Sequence, residues 1–179
     1  MKIAAALLVV LIVAALPAKA QTRISNEMAN TYFANCMKGE ADNLTAQTKE
    51  TMCACTAAQM MLGFSVEDME AMSRRDEAAR LALNKMIVNV YAPCIRYPAF
   101  DYYYGVCSAD PRSLTLSKNP QAMCHCLANK VSNHLGANSQ QIFADILARN
   151  PYITDPMAAL TSDPAFDRFA QGQLLSCVQ

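Results

Sequence analysis

The cysteines are the residues of this chain whose number and spacing could do chemistry. Eight are present, and one spacing occurs twice: a first cysteine, sixteen intervening residues, a Cys-x-Cys pair and a more distant closing cysteine. Repetition of one spacing within a chain indicates a duplicated structural unit. The first set is Cys36, Cys53, Cys55 and Cys94, and the second is Cys107, Cys124, Cys126 and Cys177.

An even number of cysteines in matched sets predicts disulfides, here four if each unit pairs its own cysteines. Residues two positions apart on a helix point about 200° away from each other. Cys53 and Cys55 therefore cannot bridge one another, so one should pair with Cys36 and the other with Cys94. Both assignments are open, and an antiparallel hairpin favours Cys36–Cys53 because Cys53 is closer to the connecting loop. The matching bonds of the second unit are Cys107–Cys124 and Cys126–Cys177.

Binding of a soft metal is the alternative use of these sulfurs. Thiolate and imidazole are ligand types that Cu(I) and Zn²⁺ accept, and methionine thioethers are frequent in the first half of the chain. Metal binding requires reduced thiols, however, and methionines at core-facing helical positions fill space. Disulfides are therefore favoured, and no cofactor is predicted. The alternative ligand set is Cys53, Cys55, Cys124, His125 and Cys126.

The cysteines are not accompanied by an arrangement typical of an enzyme. Thiol exchange uses Cys-x-x-Cys at a helix start and covalent haem attachment uses Cys-x-x-Cys-His, whereas this chain has Cys-x-Cys. Its two histidines, His125 and His134, lie outside nucleophile and metalloprotease motifs, and the sequence has no Gly-rich phosphate loop. A protein without catalytic residues is predicted.

The amino-terminal pattern predicts export. Met1-Lys2 precedes an apolar run from Ile3 to Leu16, and small residues lead up to Ala20. This order is typical of a signal peptide, residues 1–20, with cleavage after Ala20. The run of 14 residues is shorter than the roughly 20 that a membrane-spanning helix needs, so no transmembrane segment is expected after cleavage. The short leader favours the bacterial periplasm, with secretion as the other destination.

Composition is consistent with a folded chain that does not bind nucleic acid. Of 179 residues, 53% are hydrophobic and 17% charged, and Lys plus Arg equals Asp plus Glu at 15 each. This balance is that of a globular protein. A dedicated nucleic-acid binder normally carries a basic surplus, so no nucleic-acid partner is predicted.

Hydrophobic periodicity predicts an all-α fold that positions the cysteines. Met28, Tyr32 and Cys36 follow at four-residue steps, as on one face of a helix. The chain has five glycines and no sustained alternation of apolar and polar residues, so strands are not expected. We predict two tandem four-cysteine helical bundles, residues 24–97 and 98–179, each of about four short helices.

Capping residues and prolines predict several helix ends. Ser65 with Asp68 resembles a capping box. Asp76 or a nearby residue is expected to cap the next helix, and Pro93 to end it. In the second unit, Asn138-Ser139 should begin a helix, Asn150-Pro151 should end it, and Asp163-Pro164 should begin the last one.

Aromatic residues are concentrated where the two units join. One interpretation is that they form the core between the units, and the other is that they form a docking surface for a protein. The extra stretch 151–163 of the second unit is expected to be a surface loop and is the other candidate for a docking surface. The predicted function is a non-enzymatic, disulfide-stabilised component that binds an unidentified protein of the cell envelope or its assembly; the alternative is a soft-metal binding or carrier protein. The candidate surface is Tyr97, Phe100, Tyr102, Tyr103 and Tyr104.

Overall fold

The computed structural model describes residues 21–40 and 44–178. The expected signal peptide, residues 1–20, lies outside the described residues. Within the described ranges the chain is helical, and extended structure is limited to an isolated bridge between Arg23 and Ser65. The predicted all-α class is confirmed. No helix in these ranges is both long enough and apolar enough to span a bilayer.

Nine α-helices follow one another in the described ranges. They are α1 (Asn26–Lys38), α2 (Ala46–Gly63), α3 (Val66–Met72), α4 (Glu77–Met86), α5 (Arg96–Ala109), α6 (Ser113–Leu116), α7 (Pro120–Arg149), α8 (Pro156–Ser162) and α9 (Pro164–Leu175). A π-turn (Ile87–Tyr91) and a 3-10 turn (Ala92–Cys94) lie between α4 and α5.

Side-chain caps begin several helices at the residues expected. The Ser65 hydroxyl accepts a hydrogen bond from the Asp68 N–H, and the Asp68 carboxylate accepts one from the Ser65 N–H. Asp76 caps α4 and Asp163 caps α9. These side chains satisfy N–H groups that have no partner within the first turn of a helix.

The chain between α4 and α5 shows that the prediction for Pro93 was wrong. The Ala92 N–H donates to the Ile87 carbonyl, which is the wider bonding of a π-turn, and the Ile95 N–H donates to the Ala92 carbonyl. A proline inside an α-helix clashes with the carbonyl four residues earlier. Because the π-turn and the 3-10 turn replace the α-helical bonding here, the chain passes Pro93 and continues as α5. Residues 87–95 are called the connecting segment below.

The expected helix start at Asn138-Ser139 is also wrong, because both residues lie inside α7. Ser139 is buried, and so are Leu135 and Phe143 on either side of it in sequence. Packing of one helix face outweighs the local capping preference of Asn and Ser. Asn150 ends α7 as predicted.

Among the described residues, most buried apolar side chains fall into two hydrophobic cores, and residues of the connecting segment belong to both. Val90 belongs to the first core, whereas Ile87, Ala92 and Ile95 belong to the second, and Tyr91 packs against both. The first core otherwise contains Ile24, Ala29, Met60, Phe64 and Met86. The second contains Ala99, Cys107, Met123, Cys124, Leu127, Val131, Leu135, Phe143, Ile146, Leu147, Ile153, Leu160, Phe166, Ala170 and Cys177.

The extra stretch 151–163 is not only a surface loop, as was expected, because part of it is helical and part of it is buried. Residues 156–162 form α8, and Asp155 caps this helix by accepting a hydrogen bond from the Ala158 N–H at 3.0 Å. Leu160 is fully buried and Ile153 is nearly so, and both belong to the second core. Apolar burial of this kind anchors the stretch to the bundle.

Candidate functional site

All eight cysteines form disulfides, and the pairing is the one that the hairpin argument favours. In the first unit, Cys36 is bonded to Cys53 and Cys55 to Cys94. Helix α2 is therefore tied on one side to α1 and on the other to the connecting segment. The second unit has the same order, Cys107–Cys124 and Cys126–Cys177, which ties α7 to α5 and to the chain beyond α9.

Disulfide formation determines what the sulfurs can do chemically. A metal ligand or nucleophile is a thiolate, whereas every sulfur of the alternative ligand set is bonded to another sulfur, and His125 is the remaining member. In the described ranges, groups of three or more His, Cys, Asp or Glu side chains that could hold a metal ion do not occur. Four disulfides are typical of proteins in an oxidising compartment.

The methionines of the first unit fill its hydrophobic core. Met60 and Met86 are buried in this core, and Met28, Met61 and Met72 pack against it. An unbranched, flexible thioether side chain suits the filling of irregular gaps between helices. Packing therefore accounts for these five methionines.

The aromatic residues of the junction are divided between the second core and the surface. The Tyr103 ring packs against this core, with its centroid 6.3 Å from that of Phe166. Burial, followed by the neighbouring Tyr102 and Asp167, raises the pKa of Tyr103 above its ordinary value. Tyr103 is therefore structural. Tyr104 also packs against the second core with part of its ring, so the surface interpretation applies to its exposed part and to Phe100.

The half-exposed Phe100 and Tyr104 form a cluster with His125, which we call the aromatic patch. Phe100 and Tyr104 lie one turn apart on α5 with nearly parallel rings, their centroids 6.3 Å apart. The exposed His125 of α7 meets both rings edge-on, at centroid distances of 5.5 and 6.4 Å. Its Nδ1 lies 2.9 Å from the amide nitrogen of Asn129, which fixes the orientation of the imidazole. Offset-parallel and edge-on pairs are the preferred aromatic geometries.

Arg96 lies beside the aromatic patch and was not identified from the sequence. Its guanidinium carbon is 5.7 Å from the centroid of the Tyr97 ring, and its Nη2 donates to the Asn133 side-chain oxygen at 3.4 Å. Its Nη1 would be 3.0 Å from a Cβ at Gly136. The absence of a side chain at Gly136 therefore leaves room for the guanidinium to lie close to α7.

A cavity of about 300 Å³ joins Arg96 to the aromatic side chains of α5. Its lining combines aromatic rings with hydroxyl and amide groups, a mixture that can fix the orientation of a bound group. The N-terminal turn of α2 forms its far wall and is held against α5 because Asp101 accepts a hydrogen bond from the Thr45 N–H at 2.8 Å. The lining residues are Gln47, Thr48, Thr51, Arg96, Tyr97, Phe100 and Ser132.

A second site, also not identified from the sequence, lies around Tyr91 of the π-turn. Two adjoining cavities of about 380 and 640 Å³ share four lining residues, Glu40, Leu44, Met52 and Tyr91. We call this pair of cavities the Tyr91 groove. The Tyr91 hydroxyl oxygen is 3.5 Å from that of Tyr32 on α1. Burial, followed by the Tyr32 hydroxyl, raises the pKa of Tyr91 above its ordinary value.

The other histidine, His134, lies on α7 against α9. Its ring stacks on that of Phe169, with centroids 3.9 Å apart, and burial lowers the pKa of His134. The adjacent cavity of about 200 Å³ also contains the Arg149–Asp163 ion pair. Since Asp163 caps α9 with one oxygen and binds Arg149 with the other, its interactions hold helix ends together.

Comparison of the chain with protein-family models, with curated proteins and with solved structures finds no match.

Proposed function

We propose that this chain is an exported, non-enzymatic protein of the bacterial periplasm that binds a protein partner of the cell envelope through the aromatic patch and Arg96. The leader-like residues 1–20 and the four disulfides support export. Tyr97, half-exposed on α5, lines the cavity beside this surface. Tyr102 is two positions from both Phe100 and Tyr104 on α5 and therefore points away from them, so this predicted member is not part of the surface.

The proposed architecture is a duplication of one four-cysteine unit, residues 24–97 and 98–179. The repeated spacing supports it, and so does the disulfide order, which joins the first cysteine to the second and the third to the fourth in each unit. Helices α1 and α5 then correspond, as do α2 and the first part of α7. Because the connecting segment belongs to both hydrophobic cores, we expect the two units to fold together.

The observation that carries the functional proposal is the position of Arg96. None of the carboxylates in the described ranges lies within ion-pair distance of its guanidinium. The guanidinium is nevertheless held in place by Tyr97, Asn133 and the gap at Gly136. An oriented guanidinium is suited to bidentate binding of a carboxylate. Half-exposed rings beside it offer the large apolar contacts that dominate protein interfaces.

The partner that fits this surface is a segment that carries an acidic side chain next to an apolar one. The carboxylate would bind Arg96 at the 300 Å³ cavity, and the apolar side chain would cover Phe100 and Tyr104. Charge complementarity therefore selects an acidic segment over a basic one. Burial of Arg96 against a carboxylate, with the rings excluding water, would strengthen the ion pair.

Site-specific photo-crosslinking in cells tests this proposal. A photoreactive phenylalanine analogue in place of Tyr104 should capture one envelope protein, whereas the same analogue in place of Tyr152, which is 75% exposed in the stretch 151–163 and is not part of the aromatic patch, should not. The acidic segment of the captured protein is then synthesised and its affinity is measured. Loss of the Arg96 charge in Arg96→Gln should weaken binding by about 2 kcal/mol.

Arg168→Gln, which removes a charge from an exposed position of α9, is the matched control and should keep the full affinity. Equal crosslinking from both positions would contradict the proposal. An affinity that is the same in Arg96→Gln and Arg168→Gln would contradict it as well.

A further inference from the structure

The Tyr91 groove is a second candidate binding site, separate from the aromatic patch. Its cavities of about 380 and 640 Å³ fall within the range of roughly 300–1,000 Å³ typical of sites for small organic molecules. The wall on one side comes from α2 through Met52, and the wall on the other comes from the N-terminal end of α8 through Pro156 and Met157. The groove therefore depends on the extra stretch 151–163.

The lining of the larger cavity is mostly apolar. Leu44, Ile95 and Pro98 provide rigid apolar surface, and Met52 and Met157 provide flexible thioether side chains. Methionine side chains adapt to ligands of different shape. Burial of an apolar body against these side chains would supply the main part of the binding free energy.

The charged groups of the larger cavity have one sign. Glu40 and Asp155 line it, and its described lining contains no Lys, Arg or His. Lys49 lines the smaller cavity, where its Nζ donates to the Gly39 carbonyl at 2.6 Å. Asp155 also caps α8, so the N–H groups of that helix offset part of its charge. Glu40 therefore supplies the larger share of the negative potential.

The π-turn brings Tyr91 to the place where the two cavities meet. Isolated π-turns inside helical segments are frequent at functional sites. Here the turn places Tyr91 in the common lining of both cavities, together with Met52 and the acidic residue Glu40. An aromatic face next to a carboxylate attracts a cation by two electrostatic contributions of the same sign.

We infer that the Tyr91 groove binds a small organic cation with an apolar body, such as an alkyl or aryl amine. The cavity volume, the apolar lining, the carboxylates and the Tyr91 ring together support this inference. The apolar body occupies the cavity between Met52 and Met157, and the cationic group faces Glu40 and Asp155. Anions of the same size are disfavoured because both carboxylates repel them.

Three probes with the same alkyl chain test this inference: octyltrimethylammonium, octanoate and 1-octanol. Each is titrated into the isotope-labelled full-length mature protein, and backbone amide shifts are followed by NMR. Octyltrimethylammonium should bind about tenfold more tightly than octanoate, with 1-octanol between them. The amide shifts should map to residues around Met52, Tyr91 and Met157.

The double variant Glu40→Gln/Asp155→Asn removes both negative charges. Asn at position 155 can still accept the Ala158 N–H, so α8 keeps its cap. Affinity for octyltrimethylammonium should fall by about threefold to tenfold, the range that two partly exposed ion pairs supply. Affinity for 1-octanol should change by less than about twofold, since its contacts are apolar.

The matched control is Glu50→Gln/Asp76→Asn, which removes an exposed carboxylate of α2 and the cap carboxylate of α4 away from the groove. It should bind octyltrimethylammonium like the wild type. The inference is overturned if octanoate binds as tightly as octyltrimethylammonium, if the control and groove variants lose affinity equally, or if the shifts map elsewhere. It is likewise overturned if octyltrimethylammonium causes no shifts at millimolar concentration.

Discussion

Cys55 of α2 is bonded to Cys94, with their Cα atoms 5.8 Å apart, and this bond attaches α2 to the connecting segment, where the two hydrophobic cores meet. The Cys36–Cys53 bond, by contrast, joins α1 to α2 away from the connecting segment. The two disulfides of the first unit therefore have different structural consequences.

Removal of the Cys55–Cys94 bond should destabilise the protein more than removal of Cys36–Cys53. The sequence separations of 39 and 17 residues correspond to about 4 and about 3 kcal/mol of denatured-state entropy in the loop-closure model. Denaturant unfolding of Cys55→Ala/Cys94→Ala and Cys36→Ala/Cys53→Ala measures the difference. Hydrogen exchange should show lost protection in both cores for the first variant. Loss confined to α1 and α2 in both variants would refute this coupling.

Close packing of α2 on the connecting segment gives a second prediction, at Gly63. A Cβ at this position would lie 2.9 Å from the Cβ of Asn89, which a folded protein does not accommodate without movement. Gly63→Ala should therefore destabilise the protein by about 1–3 kcal/mol, as overpacking does. Gly172→Ala is the control, because a Cβ there meets no atom within 4 Å and should stabilise α9 by up to about 1 kcal/mol. Thermal unfolding of both variants measures these changes in stability. Stabilisation by Gly63→Ala would contradict the packing argument.

The helical class and the disulfide pairing could be predicted because both follow from local rules. Cys53 and Cys55 must point to different neighbours on any helix. Helix caps such as Asp76 and Asp163 can be identified because a polar residue stands directly before a segment with helical hydrophobic periodicity. Tyr103 illustrates the limit. Its position in an aromatic run did not reveal that it faces Phe166, 63 residues further along the chain.

The elements that were predicted wrongly are those where tertiary packing overrides a local signal. Pro93 was expected to end a helix, but the π-turn before it changes the hydrogen-bond register, and periodicity over a few residues does not reveal such a turn. The Tyr91 groove was missed for the same reason. It depends on the π-turn and on α8. The sequence signal for α8 was Asp155-Pro156, a cap followed by a first-turn proline like Asp163-Pro164, but it was not used to predict a helix.

The division of the aromatic residues gives a third prediction. Tyr103 packs against the second core and Tyr97 lines the cavity beside Arg96. Tyr103→Ser should lose about 1.5–3 kcal/mol of apolar burial, which lowers the melting temperature by several degrees in a chain of this size. Tyr97→Ser should change it by less and should instead weaken binding of the acidic segment. Calorimetric melting of the two variants tests the assignment, and an equal decrease would show that Tyr97 is also part of the core.

The last prediction concerns acid stability at Glu67. Both carboxylate oxygens of Glu67 accept the Thr22 N–H, at 3.0 and 3.1 Å. Hydrogen bonding with the Thr22 side chain, followed by the backbone N–H groups of Glu67 and Thr22, lowers the pKa of Glu67 to about 2. Because the folded-state pKa of Glu67 lies below its ordinary value of 4.5, this contribution to stability is fully present above pH 4.5 and is lost as the pH falls towards 2. Glu67→Gln should therefore reduce the wild-type decrease in melting temperature between those two pH values. Glu70→Gln, which removes an exposed charge from the same helix, is the control. A Glu67→Gln profile that falls as steeply as the wild type would show that the Thr22 contact does not persist in solution.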